Sequence, residues 1–479
     1  MVYSLIFRAA RSEPLAVISM LDINFIRENP EKVKEGLKKK GVDIDIENLL
    51  KLDEARREKI KEVDDLRAKQ NVISEEIARL QREERNIKIN ESKELKNLLQ
   101  TAERERSQFE EEFTAEMYKL PNLPFEDVPA GKDETENIVL WEDGEKPVFS
   151  FTPKDYVTLG EELDLIDTKR AAKISGSRFG YLKHEAPLLE FALVQYIMKN
   201  LSDRVWVREA CKFANNTKIL NHQSIYYKDA THRILPEDKT FIPLVPPVMI
   251  KPEVFRAMGK LDPGQEEERY FIPKDNLYLV GSAEHSVGPL HMDETLDEEK
   301  LPHRHIAFST SFRREAGSYG KDTKGILRVH QFDKLEMFSY VHPELSRVEH
   351  DLFLAIQVKL MRELRLPFQV MLICAGDMVW TDAKQYDINT WLPGQNGGKG
   401  EYRETHSTSN STDFQARRLN AKFRNSDGKT HLLHTINGTA FAIGRTIIAI
   451  LENYQQADGS VKIPEALQPF MHGIKEIRR

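Results

Sequence analysis

Ser311-Phe312-Arg313-Arg314-Glu315-Ala316-Gly317-Ser318-Tyr319-Gly320 closes one β-like run and enters a glycine-bearing loop that carries Lys321 and Lys324. After Gly325 the chain returns as Ile326-Leu327-Arg328-Val329-His330-Gln331-Phe332, whose alternation predicts a second strand. The pattern is a hairpin with a long cationic tip. Such a hairpin can hold a nucleotide, because an arginine donates to phosphate oxygens, an aromatic ring offers a stacking face, and a carboxylate accepts from an exocyclic amine. Arg313, Phe332 and Glu315 are the candidates for those tasks. Taken singly, Phe332 also suits a core position and the charges a solvated face. A Walker-type phosphate loop is excluded, since Gly317-Ser318-Tyr319-Gly320-Lys321-Asp322-Thr323 has too few residues between its glycines. Residues 394–400 do not follow a strand-like run, as a dinucleotide fingerprint requires.

Upstream, residues 48–120 are rich in Glu, Lys, Arg, Gln and Leu and contain no proline or glycine, which predicts one long helical region folded once. Val63, Leu66, Ile73, Ile77 and Leu80 alternate three- and four-residue spacing, with Gln70 at one polar seam position. Leu95, Leu98, Ala102, Phe109, Phe113, Met117 and Leu120 form a second stripe, and residues 86–90 supply the expected turn. The two helices should pair antiparallel as a hairpin, which by itself fits an oligomerisation coiled coil as well as a nucleic-acid arm. Residues 121–154 then carry Pro121, Pro124, Pro129, Gly131 and Pro147 and read as a linker into a second domain. Beyond it, residues 277–280 and 368–373 read as strands, and residues 188–201 and 343–364 as helices, so a mixed α+β domain is expected.

The whole chain sets bounds on function. Its 479 residues exceed one ordinary core, and 40% hydrophobic with 31% charged residues describes a folded chain. A net charge of -7 argues against indiscriminate coating of nucleic acid but leaves room for a local basic face. Cys211 and Cys374 are the only cysteines, which supports neither a disulfide framework nor a thiolate zinc cluster and fits a reducing cytoplasm. No apolar run reaches the about 18 to 20 residues that span a bilayer. Residues 1–19, with Arg8, Arg11 and Glu13, lack a clear cleavage pattern and read as a leader or upstream extension, the globular part starting at Met20.

Against this background, Phe312-Arg313-x-Glu315 followed by Arg328-x-x-x-Phe332 resembles motif 2 of class II aminoacyl-tRNA synthetases. Asn437-Gly438-Thr439-Ala440 leading to Gly444-Arg445 resembles their motif 3. Within that class, residues 315–320, His330 to Lys334, Asp413-Phe414-Gln415-Ala416-Arg417-Arg418 and Leu451-Glu452-Asn453-Tyr454-Gln455 resemble seryl-tRNA synthetase of the bacterial type. The resemblance covers nearly all of residues 20–479. It implies an α+β class II antiparallel sheet with flanking helices in residues 126–479, fronted by an N-terminal antiparallel helical hairpin, a coiled-coil tRNA-binding arm, in residues 20–125.

The same resemblance implies the activity: serine is activated with ATP and transferred to the 3′ end of serine tRNA, with selenocysteine tRNA a further acceptor. A homologue that loads a carrier protein, or a synthetase-like binding protein without catalysis, are the alternatives. Arg313 and Arg445 take the catalytic roles. ATP would be held by Arg313, Arg314, Glu315, Arg328, Val329, Phe332, Glu404, Thr405, His406, Ser407 and Arg445, with Mg²⁺ on Glu404 and Ser407. Serine would be held by Ser282, Ala283, Glu284, Arg313, Glu336, Asn437 and Thr439. Ser282 stands where the family commonly has threonine, and Thr405-His406 where it has isoleucine-serine. Residues 203–238 read as an insertion before motif 1, where Pro246 and Pro247 would lie near a homodimer interface.

Overall fold

The computed structural model describes residues 21–216, 236, 239–261, 265–316 and 324–479. The leader, residues 1–19, and the hairpin tip around Gly317 and Lys321 lie outside the described residues. The chain divides into two compact units, one of the described residues up to Lys38 with Val42–Pro121, the other of Lys39–Gly41 and Asn122–Arg479.

The first unit contains α1 (Ile23–Glu28), α2 (Pro30–Lys39), α3 (Ile46–Arg79) and α4 (Arg82–Tyr118). Asp45 caps α3, its carboxylate accepting from the Asn48 amide at 2.8 Å. Along the α3–α4 seam Val63, Leu99 and Ala102 are buried together with Leu66 against them. Lys59 meets Glu105 at 2.6 Å, Arg67 meets Glu103 at 2.7 Å and Lys88 meets Glu76 at 3.0 Å, which fixes an antiparallel register. These pairs are solvated and contribute at most about 1 kcal/mol each, so the apolar seam holds the hairpin. The carboxylate of Asp53 is buried and gathers Arg27 at 2.7 Å with Arg56 and Arg57 at 3.1 Å, tying α1 to α3.

Two details of the arm differ from the sequence reading. The reversal falls at Leu80 and Gln81, both extended, and α4 runs straight through residues 86–90. Each asparagine costs a helix only about 0.7 kcal/mol or less, and Lys88 answers with an i,i+3 pair to Glu91 at 2.9 Å. Leu98 is 59% exposed and Leu99 takes its place at 8%, because Leu95, Leu99 and Ala102 continue the four-three spacing.

The second unit is built on an eight-stranded sheet. Its strands are β1 (Ile138–Asp143), β2 (Phe241–Leu244), β3 (His303–Phe312), β4 (Gln331–Val341), β5 (Phe368–Leu372), β6 (Lys384–Leu392), β7 (Glu401–Asn410) and β8 (His434–Ala442). They lie in the order β1-β5-β6-β7-β8-β4-β3-β2. Every neighbouring pair is antiparallel except β2–β3. The α+β class II architecture expected above is therefore the architecture observed. Residues 121–154 are more than a linker, since they supply edge strand β1, paired with β5.

Alternation along the strands gives the sheet two unlike faces. Leu335, Met337, Tyr386, Ile388 and Ile436 belong to the main apolar cluster, with residues of α5 (Glu185–Ser202), α6 (Arg204–Asn216), α7 (Ser346–Glu363) and α8 (Ile443–Asn453). The opposite face presents Lys334, Glu336, Asp387, Ser407 and Asn437. Helix α6 is the described part of the 203–238 segment. Its Val207, Ala210, Cys211 and Ala214 are buried in the main cluster, and the Trp206 indole donates to Glu363 of α7 at 3.1 Å, so this part belongs to the core.

The return limb of the central hairpin is also corrected. Residues 326–330 are not strand, and β4 begins at Gln331. The Leu327 amide donates to the Tyr156 hydroxyl at 3.2 Å, and that hydroxyl donates to the Lys324 carbonyl at 3.1 Å. A side chain thus satisfies backbone that the alternation assigned to a ladder, while Ile326, Leu327 and Val329 bury themselves in the main cluster.

Candidate active site

The polar face of the sheet forms the floor of a cleft of about 570 Å³. One end of it begins where β3 stops. The Arg313 amide donates to the His330 carbonyl at 3.0 Å, which continues the pairing of β3 with the chain entering β4. The Arg313 Nε donates to the Gly281 carbonyl at 3.1 Å, and its guanidinium lies 5.3 Å from the Phe332 ring centroid. Glu315 adopts a left-handed backbone, φ 54°, and its carboxylate receives Arg328 at 3.0 Å. A non-glycine residue held there is the kind of local strain that collects at functional sites. Arg445, in the first turn of α8, donates to the Glu404 carbonyl at 2.8 Å and approaches its carboxylate at 3.3 Å.

Two bulges place the floor residues. Between β6 and β7 the register slips so that Ile388 faces His406 while Asn389 faces Glu404, and Glu404, Thr405 and Ser407 all line the cleft. Between β4 and β8 it slips so that Leu335 faces Phe441 while Glu336 faces Thr439. Asn437, Thr439, Ala442 and Arg445 then share the cleft wall.

The other end is a compact charged network. Ser282 Oγ donates to Glu336 at 3.3 Å, and Lys334 Nζ sits 2.5 Å from the same carboxylate. Glu284 accepts from Gln415 at 2.8 Å and pairs with Lys260 at 3.2 Å. Burial pushes the Glu336 pKa up despite Lys334. For Glu284 burial pushes the same way, but Lys260 and Gln415 overcome it, and the net shift is downward. His285 is held well below its ordinary value by burial and by Arg269, Lys260, Arg313 and Lys334, and its Nδ1 accepts from the Gly281 amide at 3.0 Å. Burial, then the neighbouring Arg313, lowers Arg269 to about 10. The Asn437 amide nitrogen is buried without a hydrogen-bond partner.

Near Arg445, burial and the charge of Glu404 push Asp387 up to about 7. The Glu404 side chain keeps half its surface open. Desolvation in the concave floor raises its pKa, and Arg445 and Arg313 outweigh that, so the net shift is downward.

Of the residues singled out in the sequence, Ser282, Glu284, Arg313, Glu315, Arg328, Val329, Phe332, Glu336, Glu404, Thr405, Ser407, Asn437, Thr439 and Arg445 line this one cleft. Three do not. Arg314 borders a separate groove with Tyr270 and Phe271. Ala283 is buried in a second apolar cluster with Val287 and Phe338. His406, between Thr405 and Ser407, faces the helix side, where its ring meets Phe441 at 5.7 Å and its Nδ1 lies 2.8 Å from Thr405 Oγ1. Strand alternation explains His406. The sequence reading missed Lys260, Glu268, Arg269, Lys334 and Asp387, which also line it. Lys334, two residues before Glu336 on one strand, carried a legible signal; Lys260 and Arg269 arrive through loops and carried none.

Residues 20–124 match the seryl-tRNA synthetase N-terminal domain, and residues 269–454 match the tRNA synthetase class II core domain (G, H, P, S and T). The chain is 40% identical over 462 residues to the serine–tRNA ligase of Dictyoglomus turgidum, covering 96% of this chain and 99% of that one. It resembles the crystal structure of seryl-tRNA synthetase from Pyrococcus horikoshii complexed with ATP, with a TM-score of 0.80 and 35% identity over 95% of this chain and 99% of that one. It also resembles the cytoplasmic serine–tRNA ligase of Naegleria fowleri in complex with AMP, with a TM-score of 0.78 and 27% identity over 96% and 98% of the two chains. Similarity running nearly end to end, with arm and core in the same order, establishes that this chain belongs to the serine–tRNA ligases, which are ATP-dependent aminoacyl-tRNA ligases.

Proposed function

We propose that both half-reactions of serine–tRNA ligation take place in this cleft. The observation that carries the reading is the convergence of Arg313, Arg328 and Arg445 on one wall with Glu284 and Glu336 at the other end. Three guanidiniums suit a polyphosphate, and two carboxylates suit an amino acid's ammonium. Arg313 spans the two ends and would bridge the ATP α-phosphate and the serine carboxylate. A serine carboxylate oxygen attacks the α-phosphorus, the bond to the β-phosphate oxygen breaks, and pyrophosphate leaves. No general base is required, because the attacking carboxylate is already ionised. Preorganised cations act where charge develops and need not reorient during the step.

Phe332 is assigned to stack on adenine, Glu315 to accept from its amino group, and Arg328 and Arg445 to hold the outer phosphates. Ser282, Asn437 and Thr439 offer polar contacts to the serine hydroxyl. Alanine would leave those groups unpaired and is rejected on that ground. Glu404 and Ser407, which line the cleft together, would supply hard oxygen donors for Mg²⁺, with Asp387, whose pKa is raised by burial and then by the charge of Glu404, beside them. When bound, that ion would neutralise phosphate charge. The helical arm is assigned to the serine tRNA through shape and backbone contacts. A homodimer and a cytoplasmic location complete the proposal; the latter fits the two free, buried cysteines and, among the described residues, the lack of any helix long and apolar enough to cross a membrane.

Serine-dependent ATP–pyrophosphate exchange tests the assignment. Arg313→Ala is expected to lower it by about 10²–10³-fold, the usual effect of deleting one preorganised charge-stabilising donor. Undiminished exchange in that variant would remove Arg313 from the chemistry.

A further inference from the structure

On the same unit, but outside the cleft lining, three imidazoles converge. His303 and His305 are two residues apart on β3 and so share one face of the sheet, opposite Tyr340 and Phe338 of β4. His291 comes from the segment after the short helix Glu284–Val287. The ring centroids of His303 and His305 are 4.6 Å apart, those of His291 and His303 5.1 Å, and one ligand nitrogen from each ring lies within 4.8 Å of the others. Tyr340 wedges the set in place, its ring 5.0 Å from His291 and its hydroxyl donating to the Gly288 carbonyl at 3.1 Å.

Ordinary packing does not account for this cluster. His291 Nε2, His303 Nδ1 and both nitrogens of His305 are buried without a hydrogen-bond partner. Each such orphan costs about 1–3 kcal/mol, so four in one place are expensive unless something satisfies them together. Water could serve one or two, but His305 is only 2% exposed and is ringed by the other two imidazoles. His291 is already oriented as metal-bound histidines are: its Nδ1 lies 2.7 Å from a carboxylate oxygen of Glu294, which fixes the tautomer and leaves Nε2 with its lone pair toward the cluster. The nearest cations are answered locally, Lys300 by Asp297 at 2.9 Å and Lys239 by the Glu299 carbonyl at 3.0 Å.

We propose that His291, His303 and His305 form a binding site for a divalent transition-metal ion, Zn²⁺ by ligand type, with water as the fourth ligand. Imidazole is a preferred ligand of zinc, and three with an open position is a recurrent tetrahedral set. At zinc–nitrogen distances of about 2.0–2.1 Å the nitrogens would stand roughly 3.4 Å apart, so small side-chain rotations close the site. The ion would clamp the segment that follows Ser282 and Glu284 onto β3, the strand that leads to Arg313. The site lies on the same face of the sheet as Glu336, farther along the paired strands, and supports the cleft from its flank without touching substrate.

The test uses the full-length protein, equilibrated with Zn²⁺, dialysed against metal-free buffer and assayed for zinc by mass spectrometry. About one zinc per chain is expected in the wild type, with markedly less in His303→Phe and His305→Phe. Cobalt(II) should give the intense visible bands of a tetrahedral ion in the wild type alone. Zinc should raise the wild-type Tm and leave both variants unchanged. Because phenylalanine removes orphan nitrogens, the metal-free variants should melt no lower than the metal-free wild type, which separates lost binding from lost folding. Substoichiometric zinc in the wild type, or equal zinc in wild type and variants, would overturn the proposal.

Discussion

Arg313 is fixed at its backbone by His330, at Nε by the Gly281 carbonyl and across its plane by Phe332, so little of its side-chain freedom remains to be lost on binding. Asn437 is the converse case, a buried donor with nothing to meet. Asn437→Ala should therefore leave the Tm unchanged or slightly raised, while the KM for serine in pyrophosphate exchange rises about tenfold, the effect of one hydrogen bond. A fall in Tm with unchanged KM would assign this amide to the fold instead. Asp387 carries a pH signature. Its folded pKa of about 7 stands above the ordinary 3.8, so across that window the folded state keeps a proton the unfolded chain has released. Its contribution to stability is full below the lower value and is lost as pH rises through about 7. Relative to the wild type, the Tm of Asp387→Asn should therefore rise as pH is raised from about 4 to about 7 and gain nothing further above it; parallel profiles would refute the shift. Of these residues, Arg313 and Asn437 were legible as parts of motifs, whereas Asp387 was not, because its neighbour Glu404 lies on another strand.

At the scale of elements, α3 and α4 show how far periodicity reaches. The stripes through Val63 and Phe113 gave two paired helices, but the choice between Leu98 and Leu99 depended on which face the partner helix met. Phe113 is 1% exposed with the Arg56 guanidinium 4.5 Å from its ring centroid, and Phe113→Ala should cost about 3–5 kcal/mol, measured by denaturant unfolding of the arm signal. Asp53 had no sequence signature, since a lone aspartate on a charged helix reads as solvated. Its substitution by alanine strands three arginines, which remain partly exposed, so a loss of about 2 kcal/mol is expected, below the full value for a buried pair. In the sheet, alternation identified strands but not the two bulges, which let the consecutive Glu404 and Thr405 both line the cleft and set Thr439 opposite Glu336.

At the scale of the molecule, the division into two compact units allows the roles proposed for them, tRNA binding by the arm and serine activation by the sheet unit, to be tested separately. In Phe113→Ala, assayed where the arm is partly unfolded, aminoacylation of serine tRNA should fall about tenfold or more while pyrophosphate exchange stays nearly unchanged. Equal loss of both would mean that the units unfold as one. The sequence by itself determined the α+β class, the helical arm, the order of the motifs and about half of the residues that line the cleft, because heptad spacing and short motifs are local and the chain writes them in order. Only the tertiary structure decided where the arm reverses, that α6 joins the core, that Tyr156 replaces a ladder at Leu327, and that Lys260, Arg269 and Asp387 join the cleft. The same holds for His291 meeting His303 and His305. Each of these depends on partners distant in sequence, and their meeting is set by packing and burial of the whole sheet rather than by any spacing along the chain.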